Sequence, residues 1–398
     1  METCRKTYKY RVCPTPEQAA KLEWTLWRCR ELYNAALAER KEAWRMRQVS
    51  IGYYQQKRNL PIIKELRPEY QEIHAHVLQD VLLRLDKAFQ AFFRRIREGQ
   101  KPGYPRFQGR HRYHSLTYPE YGNGVTLDGG LLWLSKIGRM PIRLHRPLEG
   151  TPKTVTITRE ADGWYACIAC ADVPTQPLPL TGQETGIDVG LKSFLTLADG
   201  SLVENPRYYR KAEKALKKAQ RRKDRRKQGS KRRRKAVVWL RKKHQKIARQ
   251  RRDFHHKTAL ALVRQYDTLY FEDLQIANLT KAPEPKPDPD HPGQYLPNGA
   301  TAKAGLNKSI QDAGWYQFRT ILSCKAVYAG KRAVAVPPAY TSQDCSGCGE
   351  RVQKSLSVRT HVCPACGLVL DRDANAALNI LRAGQARQGA GAGASALN

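Results

Sequence analysis

The sequence predicts a multidomain chain of mixed α/β and α+β class, and three observations predict it. Its 398 residues exceed what one ordinary core organises, so two or three domains are expected. Residues 15–98 place apolar side chains at helical steps, whereas 105–175 break into short alternating runs between turns. From Thr185 onward apolar strands are separated by helical stretches, the pattern of an α/β core.

Residues 1–13 alternate like a strand. Thr15, Pro16 and Gln18 then supply an N-cap, an N1 proline and a capping-box partner, so a helix starts there. Its apolar positions Leu22, Leu26, Cys29, Tyr33 and Leu37 recur at steps of three and four. Leu78, Leu82, Leu85, Phe89, Phe92 and Ile96 repeat the pattern. The segment GQKPGYPRF from Gly99 ends it, and Val155–Ile157 with Trp164–Ile168 read as a hairpin in a β-rich stretch. GIDVGLKSFLTLADGSLV opens the α/β core with two strands turned at Asp199-Gly200. Residues 207–252 follow, with a helical hairpin expected on either side of Gln228-Gly229-Ser230 and its second arm running through Leu260 and Val263. Beyond the strand TLYFEDL, the Pro-rich stretch 281–303 is expected to be a mobile loop. A helix over Leu306–Ala326, a strand near Val334–Val336 and a last helix over Asp373–Leu381 complete the core. The Gly/Ala-rich tail, 385–398, is expected to be disordered.

Charge narrows the class of partner. Lys and Arg total 71 against 36 acids, a formal charge of +35, which favours a polyanion. Residues 207–252 alone carry 24 basic residues against Glu213 and Asp224. Aliphatic and aromatic residues interleave these charges, so the expected helix has one packed face and one face toward phosphates. Within it Tyr208 and Tyr209 suit base stacking or core packing, Trp239 is expected to pack, and His255 and His256 are read as packing or helix-surface residues. A membrane is the rival polyanion, but no apolar run approaches the roughly 20 residues of a spanning helix. The N-terminus METCRKTYKYRV also lacks a signal-peptide core. A cytoplasmic protein, in the prokaryotic cytosol or nucleoid, is expected, with no membrane partner.

Four of the ten cysteines form two tight pairs, Cys345/Cys348 and Cys363/Cys366, separated by fourteen residues. Two such thiolate hooks flanking a short hairpin suit one structural Zn²⁺ in a reducing compartment. Cys167 and Cys170 share the spacing but fall in an expected strand, where positions i and i+3 face opposite ways. They are read as packing residues.

Three acids carry the chemistry. Asp188 ends the strand in GIDVG, Glu272 ends TLYFEDL, and Asp371 or Asp373 precedes the last helix in LDRDANAALNI. Carboxylates converging at strand ends are costly unless paired or bound to cations. Two Mg²⁺ ions use such ligands to activate water and to stabilise the leaving oxygen of a phosphodiester.

GIDVGL, a basic hairpin ending QRRDFHHK, FEDL, LNKSIQDAGWYQF, YTSQDCSGCG, CPACG and DRDANAALNI, in this order, resemble the transposon-encoded TnpB family, relatives of compact type V CRISPR effectors. KYRVCPTPEQ, CRELYNAALAERKEAW and YPRFQGR extend the resemblance over nearly the whole chain. It implies a β-barrel wedge domain built from 1–13 and 99–180, resembling an oligonucleotide-binding barrel, with a helical recognition module, 14–98, inserted in it. It further implies an RNase H-like (RuvC) nuclease core over 181–340 and 368–384, containing the basic hairpin 207–265, and a zinc-binding insertion, 341–367. The implied catalytic and Mg²⁺-holding residues are Asp188, Glu272 and Asp373. Asp373 is preferred over Asp371 because the helix-forming ANAALNI follows it directly. The zinc ligands are Cys345, Cys348, Cys363 and Cys366. The implied partners are a guide RNA, one protein monomer per RNA, and double- and single-stranded target DNA; the implied activity is RNA-guided DNA cleavage linked to a transposon. A guided binder or repressor without cleavage and an RNase H-like transposase are the competing readings. The first is disfavoured because all three acids are present.

Overall fold

In a computed structural model of the chain, residues 2–109, 112–355 and 357–394 are described, and they divide into two compact units, Met1–Pro174 and Thr175–Asn398. No helix among the described residues is long and apolar enough to cross a membrane.

The first unit opens with β1 (Thr3–Val12) and α1 (Pro16–Arg47). The capping box forms: the Thr15 hydroxyl accepts from the Gln18 N–H at 3.2 Å, and the Gln18 side chain accepts from the Thr15 N–H at 3.0 Å. Short helices α2 (Tyr53–Arg58) and α3 (Leu60–Leu66) lead to α4 (Ala75–Arg97). Leu22, Leu26, Cys29 and Leu37 of α1 and Leu78, Leu82 and Leu85 of α4 are buried, whereas Ile96, at the end of the expected stripe, is exposed. Strands β2 (Ser115–Tyr118), β3 (Val125–Asp128), β4 (Leu131–Leu134), β5 (Gly138–Arg143), β6 (Thr151–Glu160) and β7 (Gly163–Pro174) follow. They join β1 in one seven-stranded sheet of order β2-β6-β7-β1-β5-β4-β3. The N-terminal strand is central there, antiparallel to both β7 and β5, because alternate residues Tyr8, Tyr10 and Val12 bury on one face. In β7, Cys170 is buried and Cys167 only half-buried.

The second unit is built on a five-stranded sheet. Strands β8 (Glu184–Val189), β9 (Ser193–Leu197) and β10 (Leu202–Glu204) form a meander. The helical hairpin α5 (Tyr208–Asp224) and α6 (Lys231–Gln265) leads to β11 (Thr268–Glu272), parallel to β8. α7 (Ile276–Leu279) precedes the Pro-rich stretch expected as a loop, which contains a two-residue ladder, β12 (Lys286–Pro287) with β13 (Tyr295–Leu296). Helices α8 (Ala300–Ala313) and α9 (Trp315–Tyr328) precede β14 (Arg332–Val336), which adds parallel to β11. The order is β10-β9-β8-β11-β14. The cysteine segment contributes β15 (Thr360–Val362) and β16 (Val369–Asp371), and α10 (Arg372–Ala394) ends the described chain.

Two expectations are corrected. The single helix expected over Leu306–Ala326 is two, because Gly314 adopts a left-handed φ of 68° that caps α8 and breaks the helix before α9. The tail is not disordered from 385: α10 continues to Ala394, and residues 395–398 lie outside the described residues. Side chains anchor this extension. Gln385 donates to Glu184 at 3.1 Å, Arg387 to the Ala335 carbonyl at 3.2 Å, and Gln388 to the Tyr270 hydroxyl. The small residues that suggested disorder permit close packing, since a Cβ on Gly384 would lie 1.9 Å from the Tyr270 ring.

The sheet separates two layers by its pleat. Ile187, Leu269 and Phe271 face a core shared with Leu262, Trp315, Phe318 and Leu322 of α6 and α9. Their neighbours in sequence point the other way, where Tyr270 and Val336 pack on Ile380 of α10. Gly186 shares that second face.

Candidate functional site

The same alternation puts Asp188 and Glu272 on the α10 face. The last β8–β11 pair in register is Ile187 with Phe271, so each acid stands one step beyond it at the ends of adjacent parallel strands. Gly186, two residues before Asp188, lets α10 approach: a Cβ there would lie 2.0 Å from the Ala377 carbonyl oxygen. That contact brings the start of α10, and with it Asp373, over the strand ends.

Burial pushes the Asp188 carboxyl up to about 8, and the neighbouring carboxylates of Glu272 and Asp373 push in the same direction, opposed by the Arg372 guanidinium. Glu272 is also raised by burial, partly offset by a hydrogen bond accepted from the Thr341 hydroxyl. Asp371 and Asp373 divide their roles. Asp371 is exposed, and its Oδ1 accepts from the N–H groups of Asp373 at 2.8 Å and Ala374 at 3.4 Å, an N-cap for α10. Asp373 is freed by that cap, its side chain 15% exposed, with Arg372 at 3.4 Å and Arg359 at 3.8 Å. The three acids named from the sequence are thus brought together, with Asp371 at their edge. Crowded carboxylates, one held near neutral protonation, form a hard-oxygen donor set that suits divalent cations.

The four paired cysteines also converge. Sγ atoms of Cys345 and Cys366 are 3.6 Å apart, as are those of Cys348 and Cys363, and all four lie within 4.8 Å of one another. Tetrahedral zinc with bonds of about 2.3 Å requires sulfur separations of roughly 3.8 Å, so the thiols fit the ion. Cys345 is further prepared as a thiolate. Burial raises its pKa, but the N–H groups of Cys348 and Gly347 together with the side chains of His361 and Cys363 outweigh this and lower it to about 6, Gly347 donating at 3.3 Å. Among the described residues no other group of His, Cys, Asp or Glu converges as tightly. The three carboxylates therefore stand further apart than the thiols.

Sequence reasoning missed the polar residues that tie these parts together. Asn375, fully buried, accepts from the Ser346 N–H at 2.8 Å and donates to the Asp344 carbonyl at 2.8 Å. Asn379 donates to the carbonyls of Thr341 at 2.9 Å and Asp344 at 2.6 Å, and Arg382 to that of Ser346. The cysteine segment is thus docked on α10, while Thr341 bonds Glu272. Two asparagines at helical spacing, i and i+4 on one side of α10, were the available signal. Asp312 was missed as well: its carboxylate accepts from the Tyr209 N–H at 2.9 Å and the Arg210 N–H at 3.2 Å, capping α5.

The basic hairpin packs through a narrow seam of Leu216, Ala219, Leu240 and Ile247, leaving its charges outward. Trp239, expected to pack, is 39% exposed, with Lys243 Nζ 4.6 Å and the Arg222 guanidinium 5.6 Å from its ring. His255 is a packing residue, fully buried, one ring nitrogen 2.9 Å from the Ala313 carbonyl and its pKa driven down to about 4, burial being the main cause.

Three family models match segments of the chain. A family described as "Probable transposase" matches residues 167–282, "Cas12f1-like, TNB domain" matches 315–380, and "Helix-turn-helix domain" matches 1–48, where the chain forms β1 and α1. A "Putative RNA-guided DNA endonuclease" of Streptomyces pristinaespiralis is 36% identical, covering 99% of this chain and 92% of that protein. "Putative RNA-guided DNA endonuclease InsQ" of Escherichia coli is 31% identical over 96% of this chain and 92% of that one. The fold is shared with the protein of a Cas12f1-sgRNA-target DNA complex, at a TM-score of 0.53 and 14% identity over 95% of this chain and 98% of that one.

Proposed function

The chain belongs to the TnpB family of RNA-guided DNA endonucleases, and on that premise we propose that Asp188, Glu272 and Asp373 form its DNA-cutting centre. The enzyme is a transposon-associated nuclease, and its target sequence is chosen by pairing with a bound guide RNA, one protein monomer per RNA. The observation that carries the assignment of the centre is the convergence of three acids at the ends of β8, β11 and the start of α10, close enough that Glu272 and Asp373 raise Asp188.

Two Mg²⁺ ions held by these carboxylates would supply an activated water and charge stabilisation at the leaving oxygen. The chain's own residues do the positioning. Thr341 fixes the Glu272 carboxylate by donating to it, and the Asp371 cap sets the first turn of α10 so that Asp373 projects inward. Arg372 and Arg359 balance Asp373. Zn²⁺ on the four thiols is structural, because four protein ligands leave no open position. The hairpin α5–α6 binds phosphates through counterion release, which gives affinity without sequence choice.

The sheet to which β1 contributes supports reading 1–13 with 99–180 as the wedge domain and 14–98 as the recognition module. The mixed sheet with parallel β8, β11 and β14 supports an RNase H-like core over 181–340 and 368–384, with 341–367 as its zinc insertion.

Asp188→Ala and Glu272→Ala should abolish cutting of a target plasmid by the RNA–protein complex while target binding persists. Asp373→Ala should behave likewise, and Asp371→Ala should be milder. Mg²⁺-dependent cutting retained by the Asp188 or Glu272 variant contradicts the assignment, and the reverse ranking of Asp371 and Asp373 moves the third ligand.

A further inference from the structure

The residue preceding Thr341 has no part in the chemistry described so far. Tyr340 has a left-handed φ of 62°, which a bulky side chain adopts only under constraint. Its ring is not buried in return: the residue is 50% exposed. The guanidinium carbon of Arg351 lies 3.5 Å from the ring centroid, covering one face. We infer that Tyr340, backed by Arg351, is a stacking platform for an unpaired nucleobase of the DNA strand delivered to the three carboxylates, an inference that rests on the nuclease reading above.

The platform is rigid. The Tyr340 carbonyl accepts from the N–H groups of Gln343 at 2.8 Å and Asp344 at 2.9 Å, closing the turn that holds the unusual φ. Arg351 is held over the ring by a 2.8 Å bond to Asp344, and the two residues also form a β-bridge. The frame is keyed to the centre from two sides. Thr341, next in the chain, bonds Glu272, and the Asp344 carbonyl is held by Asn375 and Asn379, on the helix whose first turn carries Asp373.

The chemistry of such a surface selects its ligand. An aromatic ring with one face on a cation leaves a flat apolar surface beside positive charge, which suits a base and its adjoining phosphate. Every base has a π-face, so the contact is tolerant of sequence, as an enzyme directed by a guide requires. A base inside a duplex has both faces covered by its neighbours, so the ligand is an unpaired base of a single strand.

The test uses the complete RNA–protein complex and target DNA carrying 2-aminopurine at successive positions around the cut. With Asp188→Ala blocking cleavage, fluorescence should be quenched at one or two adjacent positions, and Tyr340→Leu should remove that quenching while Tyr340→Phe and Tyr340→Trp keep it. In the Asp188-intact enzyme, Tyr340→Leu should raise the DNA concentration for half-maximal cutting about tenfold, with rescue by Phe and Trp and with zinc content and melting temperature as in the parent. The inference is overturned if Tyr340→Leu leaves quenching and cutting unchanged, or if Tyr340→Phe fails as Leu does, which would assign the effect to the hydroxyl. It is also overturned if no position is quenched in the parent complex, a result that needs no variant of Tyr340 to fold. Failure of the nuclease reading shows separately, as normal cutting by Asp188→Ala, and the quenching pattern still decides the role of Tyr340 in that event.

Discussion

Gly186→Ala adds one methyl group to β8 and touches none of the charged residues, yet it should disable the site. The new Cβ would stand 2.0 Å from the Ala377 carbonyl oxygen and 2.6 Å from the Leu381 nitrogen, both backbone atoms of α10. Ordinary contact begins near 3.4 Å, so α10 has to withdraw by about 1.4 Å or the strand has to bend. No rotamer change relieves a clash between two backbones. The stability cost should reach the upper part of the range for overpacked cores, about 1–3 kcal/mol. Asp373 lies one turn before Ala377, so the same displacement carries its carboxylate away from Asp188 and Glu272. A misplacement of about 1 Å in catalytic geometry costs roughly 100-fold in rate. Single-turnover plasmid cutting by the assembled complex at saturating Mg²⁺ should therefore slow by about two orders of magnitude. Guide RNA binding should stay unchanged, since α6 packs on the opposite face of the sheet from the added atom. A variant that melts with the parent and cuts within threefold of its rate refutes the packing of α10 on β8 as the device that positions Asp373.

Zinc content should be about one ion per chain, and Cys345→Ser should lose it and also slow cutting, because the cysteine segment carries Thr341 to Glu272; zinc below a tenth of an equivalent in protein never exposed to chelator contradicts the site. In Mg²⁺-free buffer the fold should weaken as pH rises. Asp188 keeps to about 8 a proton that the unfolded chain releases near 3.8, so the native state binds more protons throughout that window. Stability is then full below the lower value and falls by at most about 1.4 kcal/mol per pH unit up to the higher one. Denaturation at pH 5 and pH 7.5 should show this loss in the parent, a smaller loss with Mg²⁺, and none attributable to this site in Asp188→Asn; equal slopes in parent and variant contradict it.

Much of this architecture is legible in local sequence because the responsible interactions are local. Thr15, Pro16 and Gln18 start α1 within one turn, and Gln228-Gly229-Ser230 separates the two basic helices that form. Asp188 and Glu272 are legible as strand-end acids because alternation fixes which face each occupies. The break at Gly314 is not, since glycine is tolerated inside helices and only the φ of 68° distinguishes a cap from a pause. Alanine and glycine after Gly384 read as disorder because composition does not disclose that Tyr270 awaits a residue without a side chain. Thr341, Asn375, Asn379 and Asp312 act through partners 29 to 103 residues away, a distance at which no spacing rule operates. Each reads locally as an ordinary polar residue of a loop or helix.

Guide RNA confers the choice of DNA target. A chain of charge +35 binds any nucleic acid by counterion release, and neither its cysteine segment nor its basic hairpin is built to specify a long site. The direct measurement is plasmid cutting with Mg²⁺ by protein stripped of RNA with nuclease and high salt, before and after cognate RNA is restored. No site-specific cutting is expected until the RNA returns; site-specific cutting at full rate by RNA-free protein would rule out guidance by RNA.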